Sequence, residues 1–191
     1  GNSSDHAITY MFFRSLRALV EKFESSKIYF VLEGRPVQRL SEHQDYKANR
    51  PKVKNPAFVR QRHEIIDLLK ASFPIHVIRH HEYECDDVIG SLVNDVHKNE
   101  QCVVVSTDTD FIQLLTPGNN RIKLYNPIRK TFLQSPIYDY VSWKALRGDT
   151  ADNIAGFMGI GDKRATILME DASALSEFLS RPGHREKFDK N

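Results

Sequence analysis

A chain of 191 residues with 40% hydrophobic and 27% charged residues is long enough to bury one sizeable core, and it contains no internal repeat or low-complexity linker. No apolar run approaches the length of a membrane span, and the N-terminus lacks the basic and apolar regions of a signal peptide, so we expect a cytoplasmic protein with no membrane partner. Cys85 and Cys102 lack metal-ligand spacing, which favours buried free thiols over a zinc site or a disulfide.

The net charge of +2 says little about partners, but the distribution of charge is informative. No acidic residue lies between Asp45 and Glu64, a segment with six cations: Lys47, Arg50, Lys52, Lys54, Arg60 and Arg62. Acidic residues concentrate elsewhere, at Glu82, Glu84, Asp86, Asp87, Asp108, Asp110, Asp149 and Asp152. A basic segment and a clustered acidic set together suggest a polyanionic partner with a divalent cation at its reactive point.

The first part of the chain predicts helix, strand, helix and strand in that order, over residues 7–24, 27–32, 57–71 and 73–79. The first strand ends at Glu33, followed by Gly34, and so brings a carboxylate to its C-terminal end. Pro51 and Pro56 interrupt regular structure in the basic segment, which predicts a loop before the second helix.

Three carboxylates, those of Glu84, Asp86 and Asp87, precede an apolar helical stretch. Capping and the helix dipole explain one or two acidic residues at a helix start. A third acidic residue is not needed for capping. Repulsion between the three carboxylates lowers the stability of the fold unless a cation is bound. We therefore interpret these residues as candidate metal ligands.

The clearest strand in the sequence, residues 102–105, stops shortly before Asp108 and Asp110. Its adjacent β-branched valines predict a strand covered on both faces, as in a parallel sheet with helices on each side. Ligands bind such sheets outside the carboxyl ends of the strands, where these two aspartates fall. An ordinary polar turn is the alternative, because aspartate is common in turns.

A hairpin over residues 121–134 and a helix over residues 137–147 are predicted next. Asp149 and Asp152 follow, three residues apart, a spacing that places both on one side of a helical turn.

A glycine-containing turn, Gly159 to Arg164, then opens onto a helix that runs to about residue 169. Exposed amides at such a helix start suit a phosphate backbone, although a packing turn is equally compatible with the pattern. A last helix over residues 172–179 precedes a tail, from Arg181 onward, that is expected to be frayed.

Four stretches occur in the order found in one known family: Tyr46-Lys-Ala-Asn-Arg50, Glu84-Cys-Asp-Asp87, Ser106-Thr-Asp-Thr-Asp110, and Gly148-Asp-Thr-Ala-Asp-Asn-Ile154 followed by Gly159-Ile-Gly-Asp-Lys-Arg164. They resemble the 5′-nuclease family of bacterial and bacteriophage 5′-3′ exonucleases and flap endonucleases, which includes the N-terminal domain of DNA polymerase I. The resemblance covers residues 28–168, most of the chain.

The resemblance implies an α/β, PIN-like nuclease core over residues 1–147, with a central, mainly parallel sheet, helices on both faces and a basic arch segment at about residues 46–63. It implies a helix-two-turn-helix element that binds duplex DNA, followed by the C-terminal tail, over residues 148–191.

Carried over to this sequence, the family's motifs assign two metal sites, the first with Glu33, Glu84, Asp86 and Asp87 and the second with Asp108, Asp110, Asp149 and Asp152. They give Lys47 and Arg50 a catalytic role at the scissile phosphate. DNA contacts are implied for Tyr46, Lys52, Lys54, Arg60, Arg62, Gly159, Gly161, Lys163 and Arg164. The implied cofactors are two Mg²⁺ or Mn²⁺ ions, with K⁺ at the glycine turn.

The implied activity is metal-dependent hydrolysis of DNA with 5′ ends, flaps or forks, and of RNA in hybrids, by a two-metal mechanism. The expected protein is a bacterial or bacteriophage-encoded monomer that works with replication or repair proteins.

Family members also begin with a strand that carries a further metal-site aspartate, and this chain starts downstream of it. Three explanations are open: a longer natural chain, a strand supplied by another polypeptide, or a weaker first metal site. The alternative function is accordingly a non-catalytic DNA-structure-binding module or a split enzyme. A PIN-like ribonuclease is a third reading, which the Gly159 to Arg164 turn disfavours.

Overall fold

The structure is a computed structural model, and it describes residues 6–42, 44–48 and 55–191. Within these residues the α-helices are α1 (Ala7–Phe23), α2 (Val37–Glu42), α3 (Pro56–Ser72), α4 (Cys85–Ser91), α5 (Tyr140–Arg147), α6 (Asp162–Glu170), α7 (Ala172–Leu179) and α8 (His184–Lys190). The strands are β1 (Tyr29–Leu32), β2 (His76–Arg79), β3 (Cys102–Val105), β4 (Ile122–Asn126), β5 (Thr131–Leu133), β6 (Gly148–Asp149) and β7 (Ile154–Ala155). None of the helices in these ranges is long and apolar enough to cross a membrane.

The chain divides into two compact units. The first contains the described residues of Gly1–Pro36 and Pro51–Val88, and the second those of Val37–Arg50 and Ile89–Asn191. The described strands form three small sheets, with the orders β1-β2, β3-β4-β5 and β6-β7. The predicted single central sheet with helices on both faces therefore stays a prediction.

In the first unit, helices α1 and α3 are joined by a buried polar contact. The side chain of Gln61, only 4% exposed, accepts hydrogen bonds from the Ile8 and Thr9 backbone N–H groups at 2.8 and 3.3 Å. These amides belong to the first turn of α1, where no intrahelical acceptor exists. Around this contact α3 buries Ile65, Ile66 and Leu69, so its apolar face forms the core of the unit.

Strands β1 and β2 pair in parallel, with Tyr29 opposite His76. Directly after β1, the chain passes so close to the loop after β2 that a Cβ on Gly34 would lie 1.9 Å from the His80 carbonyl oxygen. No side chain fits there, so glycine is required by close approach. This contact fixes where the end of β1, and with it Glu33, meets the loop that leads to α4.

In the second unit, β3 pairs in parallel with β4, and β5 adds to β4 in antiparallel orientation. Its first core contains Val93, Val104, Phe111, Ile122 and Leu124. The prediction that both faces of β3 are covered was wrong, since Val103 and Val105 remain 37% and 40% exposed. Side chains alternate along a strand, so a run of valines reflects strand propensity here and only one face is buried.

The first core is flanked by two irregular helical turns that the sequence pattern did not predict. Helix α4 continues into a π-helical turn, Leu92–Val96, and a 3₁₀ helix, Thr109–Leu114, follows β3. Arg121 donates from Nη1 to the carbonyl oxygens of Val93 and His97 at 2.7 and 3.2 Å, which satisfies backbone acceptors at the end of the π-helical turn.

A second core in the same unit joins α5, α6 and α7 through Leu146, Ala165, Phe178 and Leu179, together with Phe157 of the loop before α6. Phe188 of α8 packs against this core. The expectation of a frayed tail was wrong, because the last residues form α8. Lys187 Nζ donates to the Gly156 carbonyl oxygen at 2.7 Å, and Asn191 Nδ2 donates to that of Ala145 at 3.0 Å. These polar contacts order a segment whose composition alone suggests disorder.

Helix α5 begins at an N-cap, Asp139, whose carboxylate accepts the Ser142 backbone N–H at 2.9 Å. Hydrogen bonds from Ser142 lower the pKa of Asp139, so the capping contribution is present above the unfolded pKa and is lost as pH falls through the lower folded pKa. We expect Asp139→Ala to lower the free energy of unfolding at pH 7 by about 1 kcal/mol.

Urea unfolding at pH 7 and at pH 3 measures this effect. Asp139→Asn is the matched control, because an amide oxygen still caps the helix but does not titrate. An Asp139→Ala loss of equal size at both pH values would contradict the role of the ionised carboxylate.

Candidate metal centre

Three carboxylates of the second unit converge at one point. Asp110, Asp149 and Asp152 each offer an oxygen, and these oxygens lie within 4.8 Å of one another. All three residues are half-buried, and no other group of three or more acidic, histidine or cysteine side chains in the described part of the chain meets this distance. Hard carboxylate oxygens at this spacing are the ligands that Mg²⁺ and Mn²⁺ prefer, so the residues fit a divalent ion.

Asp110 is positioned by the turn that ends β3. The Asp108 carboxylate accepts the Asp110 backbone N–H at 2.9 Å and caps the 3₁₀ helix, while the Asp108 N–H donates to Ser106 Oγ at 3.0 Å. In this structure Asp108 therefore caps the 3₁₀ helix, whereas Asp110 belongs to the carboxylate group. The predicted role of Asp108 as a metal ligand stays a prediction.

Asp149 and Asp152 lie on the hairpin formed by β6 and β7, where Asp149 pairs with Ile154. The predicted helical turn was wrong, because Asp149 is in a strand and Asp152 is in the tight turn that follows. Both aspartates nevertheless reach the same point. The Asp149 Oδ1 atom accepts the Ala151 N–H at 2.8 Å, which fixes the turn locally.

Two glycines allow the hairpin to start directly at the end of α5. Gly148 has a φ of 78°, in the left-handed region that favours glycine. A Cβ on Gly156 would lie 1.9 Å from the Arg147 carbonyl oxygen, so the two ends of the hairpin touch through backbone alone. The motif glycines thus set the distance between Asp149 and the helix that precedes it.

A lysine that the sequence motifs did not indicate lies within the carboxylate group. Lys144 Nζ is 2.8 Å from Asp110 Oδ1 and 2.5 Å from Asp149 Oδ2. Burial opposes the charge on Lys144, but the bonds to both carboxylates outweigh it and raise the lysine pKa. Burial likewise opposes ionisation of Asp149, and the lysine outweighs it and lowers the pKa of that carboxyl. Lys144 precedes Asp149 by five residues, an interval that does not place two residues on one face of a helix, so the sequence carried no signal for this contact.

The start of the predicted basic arch contacts the same turn. Tyr46 donates its hydroxyl to Asp152 Oδ2 at 3.2 Å, and the Lys47 N–H donates to the Asp152 carbonyl oxygen at 3.3 Å. Asn153 Nδ2 donates to the Asp45 carbonyl oxygen at 3.0 Å, and Lys47 Nζ lies 5.1 Å from the Tyr46 ring centre. Tyr46 and Lys47 therefore lie beside the carboxylate group, while Arg50, Lys52 and Lys54 lie outside the described residues.

The residues predicted for the first metal site lie in the first unit, around the start of α4. Glu33 accepts the Cys85 N–H at 3.4 Å, Asp87 accepts the Glu84 N–H at 3.2 Å, and Asp86 accepts the Cys85 thiol at 3.3 Å. Glu84 is only 2% exposed. Burial and the neighbouring carboxylates raise the pKa of Cys85, which keeps this thiol protonated.

The other predicted DNA contacts are exposed. Arg60 and Arg62 lie on α3, and Lys163 and Arg164 lie in the first turn of α6, which starts after Gly161. Gly159 has a φ of 74°, and its carbonyl oxygen accepts a hydrogen bond from Arg164 at 3.0 Å. The turn is therefore well formed, and its contact with a duplex stays a prediction.

Comparison with known proteins gives one consistent family. Residues 2–144 match the family described as 5′-3′ exonuclease, N-terminal resolvase-like domain. The chain is 36% identical over 171 residues to DNA polymerase I of Caldicellulosiruptor bescii. The aligned region covers 82% of this chain and 20% of that protein. It is 29% identical over 179 residues to a 5′-3′ exonuclease of Bacillus subtilis, covering 88% of this chain and 60% of the relative.

Solved structures show the same fold. A flap endonuclease of bacteriophage T5, in a complex with DNA and metal ions, has a TM-score of 0.76 and 21% identity over 99% of this chain and 77% of that one. The related T5 protein crystallised with metal ions has a TM-score of 0.73 and 22% identity, covering 98% and 77% of the two chains.

The chain belongs to the 5′-3′ exonuclease family, within its N-terminal resolvase-like domain, and has the mixed α/β fold of that family. It spans about one fifth of the length of the DNA polymerase I relatives and 60% of the B. subtilis exonuclease.

Proposed function

We propose that this chain is the nuclease region of a metal-dependent 5′-nuclease that hydrolyses phosphodiester bonds in 5′-ended or flap-structured DNA, and in RNA of hybrids. The observation that carries the proposal is the group formed by Asp110, Asp149 and Asp152, with Tyr46 and Lys47 held beside it. Family membership supports it, as do relatives named for exonuclease and flap endonuclease activity.

The proposed cofactors are two divalent ions, Mg²⁺ or Mn²⁺. When bound, the ions activate the attacking water and stabilise negative charge on the phosphate oxygens. Asp110, Asp149 and Asp152, together with Asp108, would hold one ion, and Glu33, Glu84, Asp86 and Asp87 would hold the other. Relatives crystallised with metal ions support the divalent class, and the absence of sulfur or imidazole ligands in the group favours Mg²⁺ or Mn²⁺.

The protein side chains would bind and orient the substrate phosphate. Lys47, with Arg50, would place positive charge where negative charge develops on the phosphate. The Tyr46 hydroxyl and the Lys47 N–H anchor this part of the loop on Asp152, so Lys47 is held beside the carboxylates before DNA binds. Such positioning lowers the entropic cost of bringing the reacting groups together.

DNA is the proposed partner, bound as 5′ ends, flaps or forks. The basic residues Lys52, Lys54, Arg60 and Arg62 would contact the phosphate backbone, and residues 148–191 would grip the duplex through the Gly159 to Arg164 turn, with K⁺ bound there. Residues 1–147 would form the PIN-like core. We further propose a monomer that acts in the cytoplasm with replication or repair proteins.

The test is a cleavage assay on a 5′-flap duplex with Mg²⁺, with EDTA and a 3′-flap duplex as controls. We expect cleavage of the 5′ flap that EDTA abolishes, and little cleavage of the 3′ flap. Tight binding of the flap without cleavage in Mg²⁺ or Mn²⁺ would instead indicate a DNA-structure-binding module. Preferential cleavage of single-stranded RNA would indicate a PIN-like ribonuclease.

A further inference from the structure

Lys144 is shared between two of the three clustered carboxylates, with its ammonium bonded to Asp110 Oδ1 and Asp149 Oδ2. Its side chain is 20% exposed, while those of Asp110 and Asp149 are 30% and 17% exposed. A pair of contacts this short and this sheltered from water is screened much less than a surface ion pair.

The backbone beside Lys144 is held by core packing, whereas the lysine side chain is attached to it through a flexible stem. The next two residues of α5, Ala145 and Leu146, are 8% and 0% exposed and pack in the second core. The four-carbon stem of lysine rotates about its single bonds, so the ammonium can leave the carboxylates without any change in the helix. The Lys144 ammonium can therefore change position while helix α5 stays in place.

A divalent ion bound at this group would share the Asp110 and Asp149 carboxylates with the ammonium. Mg²⁺ binds carboxylate oxygens at about 2.0–2.1 Å, which would place it in van der Waals contact range of an ammonium bonded to those oxygens. Two like charges at that separation repel strongly in a partly buried site. The ammonium of Lys144 therefore opposes an ion that binds Asp110 and Asp149 together.

We propose that Lys144 is an internal counter-ion that competes with divalent cations for Asp110 and Asp149 and so weakens metal binding at this group. Without a metal, the lysine balances part of the negative charge and keeps the carboxylates together. With a metal, it swings away, and the protein binds the ion only at concentrations that overcome this competition. The inference rests on the proposed function in one respect, namely that this carboxylate group binds a divalent ion.

The test measures Mn²⁺ binding to the protein without DNA, by the loss of the electron paramagnetic resonance signal of free Mn²⁺. Lys144→Met keeps most of the apolar stem and removes the charge. We expect it to tighten Mn²⁺ binding at the group by about 10-fold or more. The matched control is Lys123→Met, which removes the same charge from an exposed position on β4 and should change the Kd less than about 2-fold.

Asp149→Asn separates failure of this inference from failure of the proposed function. If wild type binds Mn²⁺ at a site that Asp149→Asn removes, and Lys144→Met binds no more tightly than wild type, Lys144 only positions the carboxylates and the competition is refuted. If Asp149→Asn binds Mn²⁺ as wild type does, the carboxylate group is not the metal site, and both the inference and its basis fail.

Melting temperatures give a second readout that does not depend on the Kd. Loss of the lysine leaves like charges unbalanced, so we expect Lys144→Met to melt below wild type without metal. Added Mn²⁺ should then raise its melting temperature more than that of wild type, since tighter binding stabilises the folded state more. An equal or smaller rise in the variant would overturn the proposal.

Discussion

Replacing Asp149 with asparagine is expected to lower the rate of 5′-flap cleavage in Mg²⁺ by at least about 100-fold. The substitution removes one negative charge from the carboxylate group, and it weakens the shorter of the two ionic contacts of Lys144. An amide oxygen can still accept the Ala151 N–H, so the turn should keep its shape and the protein its fold. Single-turnover rates at saturating enzyme separate this loss from any change in DNA binding.

Asp67→Asn is the control for the Asp149 variant, because it makes the same chemical change at an exposed position on α3. It should cleave within about 2-fold of wild type, in line with the small effects of most surface changes. A folded Asp149→Asn protein that cleaves nearly as fast as wild type would remove this group from the active site.

Replacing Lys47 with alanine is expected to lower the cleavage rate by about 10²–10³. The loop that carries this lysine is anchored on Asp152 through the Lys47 N–H and the Tyr46 hydroxyl, and neither bond uses the Lys47 side chain. The variant should therefore keep the loop in place and lose the positive charge near the phosphate, together with the contact of Lys47 Nζ with the Tyr46 ring. Flap affinity should fall far less than the rate, because many phosphate contacts share the binding energy.

Fluorescence anisotropy for binding and single-turnover kinetics for cleavage distinguish these two effects in the Lys47 variant. Lys98→Ala, an exposed lysine beyond the π-helical turn, is the matched control and should leave both quantities unchanged. Equal losses of affinity and rate in Lys47→Ala would mean that the lysine binds DNA and has no separate role in the reaction.

Local sequence patterns predicted most of the regular structure, since helices and strands depend on short-range periodicity. The predicted helix over residues 57–71 is observed as α3 (Pro56–Ser72), and the predicted strand over residues 102–105 is observed as β3. Helix α8 could not be predicted in this way, because bonds from Lys187 and Asn191 to distant carbonyl oxygens order it.

At the candidate site, too, the sequence indicated which residues come together but did not predict the local backbone structure that carries them. The family motifs assign Asp108, Asp110, Asp149 and Asp152 to one metal site, and the structure brings carboxylate oxygens of the last three within 4.8 Å of one another, while their role as metal ligands stays a prediction. Motif spacing gave the wrong local structure for Asp149 and Asp152, because an interval of three residues suits a tight hairpin as well as a helical turn. Lys144 was missed because a lysine on an amphipathic helix normally faces solvent. The contact forms because the hairpin that starts at Gly148 brings Asp149 back to the lysine on α5.

The bond between Tyr46 and Asp152 joins residues 106 positions apart, whereas β3 meets β4 over only twenty positions. In an unfolded chain the longer closure costs about 1.5 kcal/mol more in entropy than the shorter one. The three hydrogen bonds between the Tyr46 loop and the Asp152 turn, at about 1 kcal/mol each, offset that additional entropy cost. We therefore expect the Tyr46 loop to join the Asp152 turn after β3 and β4 have paired, which makes completion of the site a late step of folding.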